Sequence, residues 1–174
     1  MPSMQDNLPP IRFRGIPDGA AGTRETLKMM RELVREAKRM PKLRLLALRL
    51  VRGIPEKDWQ AEIRACFDFV QKKIRYTLDI NAIETLQAPQ VTLKLKAGDC
   101  DDKAMLLAAL LELLGHPCYF CAAGFDEANA YSHVFVLVDA GGEGNIVALD
   151  TTEPQPMGWG PPNPTCFLVA PIDG

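Results

Sequence analysis

The sequence of 174 residues lacks the features that mark membrane, secreted and fibrous proteins. Its longest uninterrupted apolar run, at positions 104–111, is far shorter than the roughly 20 residues of a membrane span. The N-terminus has neither the basic start nor the apolar stretch of a signal peptide. The five cysteines are odd in number and have no framework spacing, which argues against a disulfide scaffold and for a reducing compartment. We therefore expect a cytoplasmic protein that does not associate with membranes.

The sequence also has little net charge, but the charge is unevenly distributed. The formal net charge is −2, whereas residues 24–52 alone contain ten Lys or Arg and three Glu, a local charge of +7. A basic stripe of this kind can contact phosphates, but its ordinary interpretation is a pair of solvated helix faces. No zinc-ligand spacing and no interleaved aromatic residues accompany the stripe, so the sequence does not favour a nucleic-acid partner.

The first half of the chain has the apolar periodicity of sequential helices. After an arm rich in proline and glycine, the pattern predicts helices over residues 23–40, 43–51 and about 58–74. Thr23 and Asp58 are in position to cap the first and the third of them.

The second half combines one strongly apolar helix with strand patterns. This helix begins near Cys100, is apolar on every side over residues 105–111, and meets a glycine stop signal at Gly115. The preceding residues, 76–97, are expected to form an irregular crossing. Strands are predicted at residues 118–124, 132–139 and 145–150.

These elements predict an α+β fold, in which N-terminal helices and a buried central helix pack on an antiparallel sheet. We expect a single compact domain. Residues 1–53 form its N-terminal arm and basic helices, and residues 54–174 form the core, which ends in a proline-rich tail.

Cys100 occupies a position where a thiol can be reactive. At a helix N-terminus it meets unpaired N–H groups and the positive end of the helix dipole, and both lower the pKa of a thiol. The carboxylates of Asp99, Asp101 and Asp102 act in the opposite direction, so a reactive thiol here needs an imidazolium nearby. The ordinary alternative is a small residue of the core.

Two further polar side chains occur on neighbouring apolar strands. Strand alternation places His133 on the same face as Phe135, and Asp150 ends the next strand. A satisfied core histidine and an Asx-type turn with Thr151 and Thr152 are the ordinary alternatives. Together with a thiol at a helix terminus, however, the pair matches the nucleophile, base and orienting group of a thiol enzyme.

Two weaker patterns carry less weight. Cys118 and Cys121 form a C-x-x-C, but residues three apart in a strand point to opposite faces, which fits neither a redox pair nor joint metal ligation. Asp79 and Glu84 flank the crossing that leads to Cys100 and could shape a substrate groove, although solvated acids are the ordinary interpretation.

Three stretches of the sequence together resemble the transglutaminase-like superfamily of papain-type cysteine enzymes. They are GDCDDKAMLLAALLELLGHP, SHVFVLV and IVALDTT, which begin at positions 98, 132 and 146. The stretches IRYTLD, ETLQAP and TLKLKAGDCDD are more narrowly similar to transglutaminase-domain proteins of tailed phages and prophages. The resemblance implies a papain-like core in which Cys100 is the nucleophile, His133 the general base and acid, and Asp150 the group that orients the imidazole.

The resemblance leaves the rest of the site less defined. The Cys100 backbone N–H is one candidate oxyanion donor, and Gln87 or Gln90 is a candidate second donor. We expect Asp99 and Trp159 to line the substrate groove. No dense carboxylate loop suited to calcium is present, and we expect neither a metal nor a cofactor.

Two classes of function follow. The first is cysteine-dependent acyl transfer or hydrolysis at an amide of a protein or peptide, through a thioester intermediate. The second is a catalytically silent, phage-derived structural or assembly protein that uses the fold as an interaction module and binds phage structural proteins. The set of Cys100, His133 and Asp150 favours an enzyme, whereas the basic helices and the proline-rich tail are compatible with the alternative.

Overall fold

The structure is a computed structural model that describes residues 19–78, 85–126, 131–141 and 144–173. Its helices are α1 (Gly19–Ala37), α2 (Pro41–Leu50), α3 (Trp59–Lys73), α4 (Pro89–Leu95) and α5 (Cys100–Leu113). Its strands are β1 (Arg75–Tyr76), β2 (Ala97–Gly98), β3 (Cys118–Gly124), β4 (Tyr131–Asp139), β5 (Ile146–Leu149) and β6 (Cys166–Pro171). The fold is α+β, as the sequence predicts.

Local sequence determines where several helices begin. Asp58 accepts a hydrogen bond from the Ala61 N–H at 3.1 Å and caps α3, which confirms the prediction. Pro41 lies in the first turn of α2, where its missing N–H needs no partner. The prediction that Thr23 caps the first helix is wrong. Helix α1 already includes Gly19, and the Thr23 hydroxyl donates to the Gly19 carbonyl from within the helix.

Helix α5 is the centre of the core. All its residues from 102 to 111 are buried, because helices α1 to α4 pack around it and strands β3 and β4 also contact it. The Asp99 side chain caps its N-terminus, and Gly115 takes a left-handed φ of 88° just beyond its end. Among the described residues, no helix is both long and apolar enough to cross a membrane.

The main sheet is antiparallel and has the strand order β5-β4-β3-β6. Along β4, alternate residues such as Val134 and Val136 join the main core with α5. The intervening Phe135 packs instead with Cys121 and Ala123 of β3 in a second, smaller apolar cluster. Side chains of β4 therefore contribute to two separate apolar clusters.

Helix α4 and strand β6 occur where the sequence analysis expects irregular chain. Helix α4 has only seven residues and begins at Pro89, too short for a periodic signal. Strand β6 lies within the segment expected to be a proline-rich tail, and it pairs with β3 from Cys166 opposite Gly124 to Pro171 opposite Tyr119. The prolines that precede it weaken the strand signal, and Pro171 at its end is tolerated because one side of an edge strand's backbone needs no partner.

A second, two-stranded sheet leads directly to the candidate nucleophile. Strands β1 and β2 are parallel, with Tyr76 opposite Gly98. The Thr77 N–H donates to the Gly98 carbonyl at 3.0 Å. This pairing fixes the chain two residues before Cys100.

Candidate active site

Cys100 is the first residue of α5, and the residues beside it hold this helix end in place. The Asp99 side chain accepts a hydrogen bond from the Asp102 N–H at 3.0 Å. In return, the Asp102 side chain accepts one from the Asp99 N–H at 3.3 Å. This reciprocal capping box fixes the backbone on both sides of the partly buried Cys100.

The surroundings of the thiol disfavour its ionisation. Burial raises the pKa of Cys100 above its ordinary value, and the carboxylates of Asp101 and Asp99 raise it further. The Cys100 Sγ atom lies 3.5 Å from Asp101 Oδ1, an arrangement in which the thiol is the donor. The backbone N–H of Val134 acts in the opposite direction, because its hydrogen bond to the sulfur lowers the pKa. At neutral pH the site therefore holds a protonated thiol.

His133 and Asp150 form a hydrogen-bonded pair. The Nε2 atom of His133 lies 2.7 Å from Oδ2 of Asp150, which leaves Nδ1 as the second ring nitrogen. The Cys100 sulfur accepts a hydrogen bond from the N–H of Val134, the residue directly after His133. The N-terminus of α5 and the His133–Asp150 pair thus meet at β4, although the catalytic roles of the three residues stay predictions.

Asp150 uses its two carboxylate oxygens for different partners. Oδ2 binds His133, whereas Oδ1 accepts hydrogen bonds from the Thr152 N–H at 2.9 Å and the Thr152 hydroxyl at 2.7 Å. The orienting contact and the Asx-type turn, which the sequence analysis treats as alternatives, therefore occur in one side chain. Burial raises the pKa of Asp150, but the donors from His133 and Thr152 outweigh burial and hold this pKa below its ordinary value. The carboxylate is ionised at neutral pH.

Solvent access differs between the two members of the pair. The exposed fraction of the side chain is 17% for His133 and 1% for Asp150. The His133 ring also stacks on the buried Phe135, with 6.1 Å between ring centroids. The imidazole is therefore held by a carboxylate and an aromatic ring, and it keeps an open side.

The two candidate glutamines lie at the start of α4 and just before it. Gln87 is tied to α5, because its N–H donates to Asp102 Oδ1 at 2.8 Å and its Nε2 donates to Asp102 Oδ2 at 2.9 Å. The Oε1 atom of Gln90 is buried and has no hydrogen-bond partner among the described residues. A role of either side chain as an oxyanion donor stays a prediction.

Asp99 and Trp159 have different surroundings. Asp99 caps α5. Trp159 is partly buried in the segment after β5, where the adjacent Gly158 donates to the Ala148 carbonyl at 2.9 Å. Trp159 therefore lies beside the strand that leads to Asp150. A groove-lining role for Asp99 and Trp159 stays a prediction.

The weaker patterns gain no support as functional sites. Cys118 packs in the main core and Cys121 in the smaller cluster, so the two thiols point to opposite faces as predicted. Burial raises the pKa of both, that of Cys121 to about 11. Within the described ranges, no group of three or more His, Cys, Asp or Glu is suited to a metal ion. Asp79 and Glu84 lie outside the described residues.

A comparison with protein families identifies the fold. The family model of the transglutaminase-like superfamily matches residues 46–145, more than half of the chain. The chain belongs to the transglutaminase-like superfamily. The match includes Cys100 and His133 and ends before Asp150. A search among curated proteins finds no match to the chain.

Solved structures with this transglutaminase-like fold are similar at low sequence identity. A candidate protease from Parabacteroides distasonis has a TM-score of 0.57 and 16% identity over 75% of this chain and 27% of its own. A candidate cysteine protease from Cytophaga hutchinsonii has a TM-score of 0.51 and 21% identity over 76% of this chain and 52% of its own. LapG from Legionella pneumophila has a TM-score of 0.53 and 16% identity over 83% of this chain and 81% of its own. The chain thus spans about a quarter of the first relative and about half of the second.

Three residues of this transglutaminase-like chain are missing from the sequence-based site. Thr152, which the sequence analysis names only as a turn partner in the alternative to a catalytic Asp150, donates twice to Asp150. Lys103 is buried one helical turn after Cys100. Tyr76 lies in β1 opposite Gly98, two residues before Cys100, and burial together with the nearby carboxylates, Asp150 among them, raises the pKa of its phenol. The signal for Lys103 is that it is the one basic residue of α5 and directly precedes the apolar run of this helix. Tyr76 has no such signal, because only the β1–β2 pairing brings it near Gly98.

Proposed function

We propose that the protein is a thiol enzyme that attacks an amide of a protein or peptide. The hydrogen bond between His133 and Asp150, beside the helix end that presents Cys100, is the observation that carries this proposal. A buried and ionised carboxylate on Nε2 orients the imidazole and leaves Nδ1 as the nitrogen that can exchange a proton with a thiol.

The resting thiol determines the first step. Because Cys100 is protonated, His133 acts as a general base during attack rather than as one half of a preformed ion pair. The thiol proton moves to Nδ1 of His133 while the sulfur forms a bond to the carbonyl carbon. The Cys100 N–H at the helix N-terminus is one donor to the resulting oxyanion, and Gln87 or Gln90 is our candidate for the second.

The remaining steps restore the enzyme. The carbon–nitrogen bond breaks, the proton on His133 passes to the leaving amine, and a thioester remains on Cys100. Water or a second amine then attacks the thioester and loses a proton to His133. The sulfur leaves and takes this proton back, which releases an acid or a new amide.

The relatives support a peptide or protein amide as the substrate. Two of the similar structures are described as candidate proteases, and one of these as a cysteine protease. A groove lined by Asp99 and Trp159 and a cytoplasmic place of action belong to the same proposal. The odd number of cysteines supports the cytoplasmic place of action. We further propose that residues 1–53 are an N-terminal arm and basic helices packed on a core of residues 54–174 within one compact domain, and the contacts of α1 and α2 with α5 support this packing.

One observation favours the second candidate function, a catalytically silent module. Burial and two neighbouring carboxylates raise the pKa of Cys100, which is unfavourable for a nucleophile unless His133 removes its proton. The narrower resemblance to phage and prophage proteins is compatible with an assembly role on phage structural proteins. Such a module needs no turnover, so a test of turnover separates the two functions.

The test is turnover of denatured protein substrates, with and without a fluorescent primary amine. The proposed enzyme releases peptide fragments or incorporates the amine, and it forms an acyl adduct on Cys100 that is visible by intact-mass spectrometry. Cys100→Ala and His133→Ala abolish both signals. Cys166→Ala, which alters another incompletely buried thiol, leaves them unchanged. Absence of turnover in the wild type, or its survival in Cys100→Ala, contradicts the enzyme and supports the silent module.

A further inference from the structure

Helix α2 presents two leucines on the side that faces away from the core. Leu43 and Ala47 are fully buried in the core. On the opposite side of the helix, Leu45 and Leu48 are 55% and 50% exposed. Residues three apart on a helix share a face, so the exposed leucines form one apolar row. A helix side that meets only water carries polar side chains instead.

Cations lie on both sides of this leucine row. The helical period places Arg44 beside Leu48 on one side of the row. It places Lys42 and Arg49 beside Leu45 on the other side. All three cations are exposed, and none of them has an ion pair or a side-chain hydrogen bond within the described residues. We call these five residues the α2 patch.

The charge of the α2 patch is not balanced by nearby acids in the sequence. Positions 37–55 contain no Asp or Glu. An exposed apolar patch that is rimmed by charge is typical of a contact with another protein or with a membrane. Because the rim is cationic, the partner must be anionic around an apolar centre.

The order of apolar and charged groups selects the kind of partner. The leucines of the α2 patch lie outermost on the helix, and the long cationic side chains leave the helix to either side of them. At a membrane surface, the acyl chains lie beneath a layer of phosphates. A helix lying on that surface therefore inserts its apolar row and keeps its cations at the level of the phosphates. Anionic lipids supply both chemistries in this order.

Nucleic acid and a second copy of the chain fit this order less well. Nucleic acid presents its phosphates outermost, so the leucines would meet charge, and α2 has no aromatic residue that could stack on a base. A second copy docked about a two-fold axis on the same patch would bring the cations of both helices together without an acid in the patch to pair them.

We infer that the α2 patch is a peripheral membrane contact for anionic phospholipids, in which the leucines enter the acyl boundary and the cations bind the phosphates. The expectation that the protein does not associate with membranes rests on the lack of a spanning segment, and a peripheral contact needs no such segment. So few apolar and charged groups give reversible rather than permanent attachment. The inference does not depend on the proposed catalysis, because membrane binding needs no reactive thiol.

The first test is cosedimentation of the full chain with phosphatidylcholine vesicles that contain or lack phosphatidylglycerol. We expect binding only to the vesicles with phosphatidylglycerol. The affinity should fall by about tenfold or more when the salt concentration rises from about 50 to about 500 mM, because salt screens the phosphates. Equal binding to both kinds of vesicle, or binding to neither, contradicts the inference without the need for any variant.

The second test removes the leucine row. Leu45→Gln combined with Leu48→Gln is expected to weaken vesicle binding by about tenfold. The melting temperature should stay at the wild-type value, because both side chains are exposed. Leu95→Gln, which alters an exposed leucine on α4, is the matched control that keeps wild-type binding.

The third test removes charge from the patch. Arg44→Gln combined with Arg49→Gln is expected to weaken binding by about tenfold or more and to reduce its dependence on salt. Lys94→Gln, which alters an exposed cation on α4, is the matched control and should bind as the wild type does.

Three results of the variant tests overturn the inference. Vesicle binding that survives the loss of both leucines identifies a non-specific attraction of the basic helices. Wild-type binding in the double arginine variant shows that the α2 patch is not the contact. Binding to duplex DNA that is as tight as binding to vesicles at equal phosphate concentration identifies a general polyanion surface. If the wild type binds no vesicles at all, the patch is left to an acidic partner protein or to solvent, and the membrane contact is wrong.

Discussion

Gln87 binds Asp102 through two hydrogen bonds, one from its backbone N–H to Oδ1 at 2.8 Å and one from its side-chain Nε2 to Oδ2 at 2.9 Å. This contact joins the segment before α4 to the first turn of α5, two residues from Cys100. Burial raises the pKa of Asp102 to about 8, and the nearby Asp99 carboxylate also raises it, although the N–H groups of Gln87 and Asp99 act in the opposite direction. The site therefore contains a carboxyl group that holds its proton up to neutral pH.

Stability is expected to fall as the pH rises from about 4 to about 8. Over this range the unfolded chain has already released the Asp102 proton while the folded protein still holds it, so each increase in pH favours unfolding. The effect on the free energy of unfolding is on the order of a few kcal/mol. Urea denaturation at several pH values measures it.

Asp102→Asn is the variant that isolates this effect. An asparagine amide can donate to Oε1 of a reoriented Gln87, an oxygen that is now buried without a partner among the described residues. The variant is expected to fold and to show a smaller loss of stability between about pH 5 and pH 8 than the wild type. Equal pH dependence of the two proteins contradicts the assignment to Asp102.

Gly98→Ala is expected to disturb the same corner through steric contact. An added Cβ would lie 2.6 Å from the Asp102 Cβ and 3.2 Å from Thr92 Cγ2, both part of packed structure. The expected loss in the free energy of unfolding is about 1–3 kcal/mol, measured by urea denaturation. Gly160→Ala is the matched control, because its added Cβ would lie at an ordinary 3.5 Å from Ala148 Cβ. Similar losses in the two variants would show that Gly98 is not under special constraint.

Asp150→Asn is expected to lower stability at neutral pH by about 1–3 kcal/mol, because a charge-assisted hydrogen bond to His133 is lost. The folded-state pKa of Asp150 is depressed, so its contribution is present above the ordinary carboxyl pKa and disappears as the pH falls below about 4. The difference between wild type and variant should therefore shrink in acid. A difference that stays constant from about pH 7 to pH 3 contradicts an ionised Asp150.

His116 offers a histidine with a similar partner near the other end of β4 from His133, where the Asp139 N–H donates to the carbonyl of the adjacent Pro117. Its Nε2 lies 2.8 Å from Glu62 Oε2, and the side chain is almost fully buried. His116→Ala is expected to lower the melting temperature, because Glu62 loses its partner and a cavity forms. The reactivity of Cys100 should not change. Slower alkylation of Cys100 in His116→Ala would show that any loss of stability affects the thiol.

The sequence predicts the parts of the fold that depend on local pattern. The apolar helix α5, its Asp99 cap and its Gly115 stop are all readable from neighbouring residues. The strand that carries His133 can be predicted in the same way, because the pattern of a β-strand involves only neighbouring residues. Asp150 follows from the end of the next predicted strand and is supported by the family resemblance, and the structure places it against His133.

The remaining features depend on contacts between distant parts of the chain. Strand β6 is stabilised by pairing with β3, and the prolines near it weaken the sequence pattern that would predict a strand. The bond from Lys103 to the Ile74 carbonyl joins residues 29 positions apart, and the bonds between Gln87 and Asp102 join residues 15 apart. No periodic pattern encodes such pairs, because each depends on how the helices and the small parallel sheet pack together.

The most direct test of the proposed mechanism is the alkylation rate of each of the five cysteines, mapped by mass spectrometry near neutral pH. We expect Cys100 to react faster than Cys166, the other incompletely buried thiol, although its resting pKa is raised. His133→Ala should slow Cys100 selectively, by about tenfold or more, whereas His116→Ala should not. A Cys100 that reacts no faster than Cys166, or equally fast with and without His133, contradicts the account.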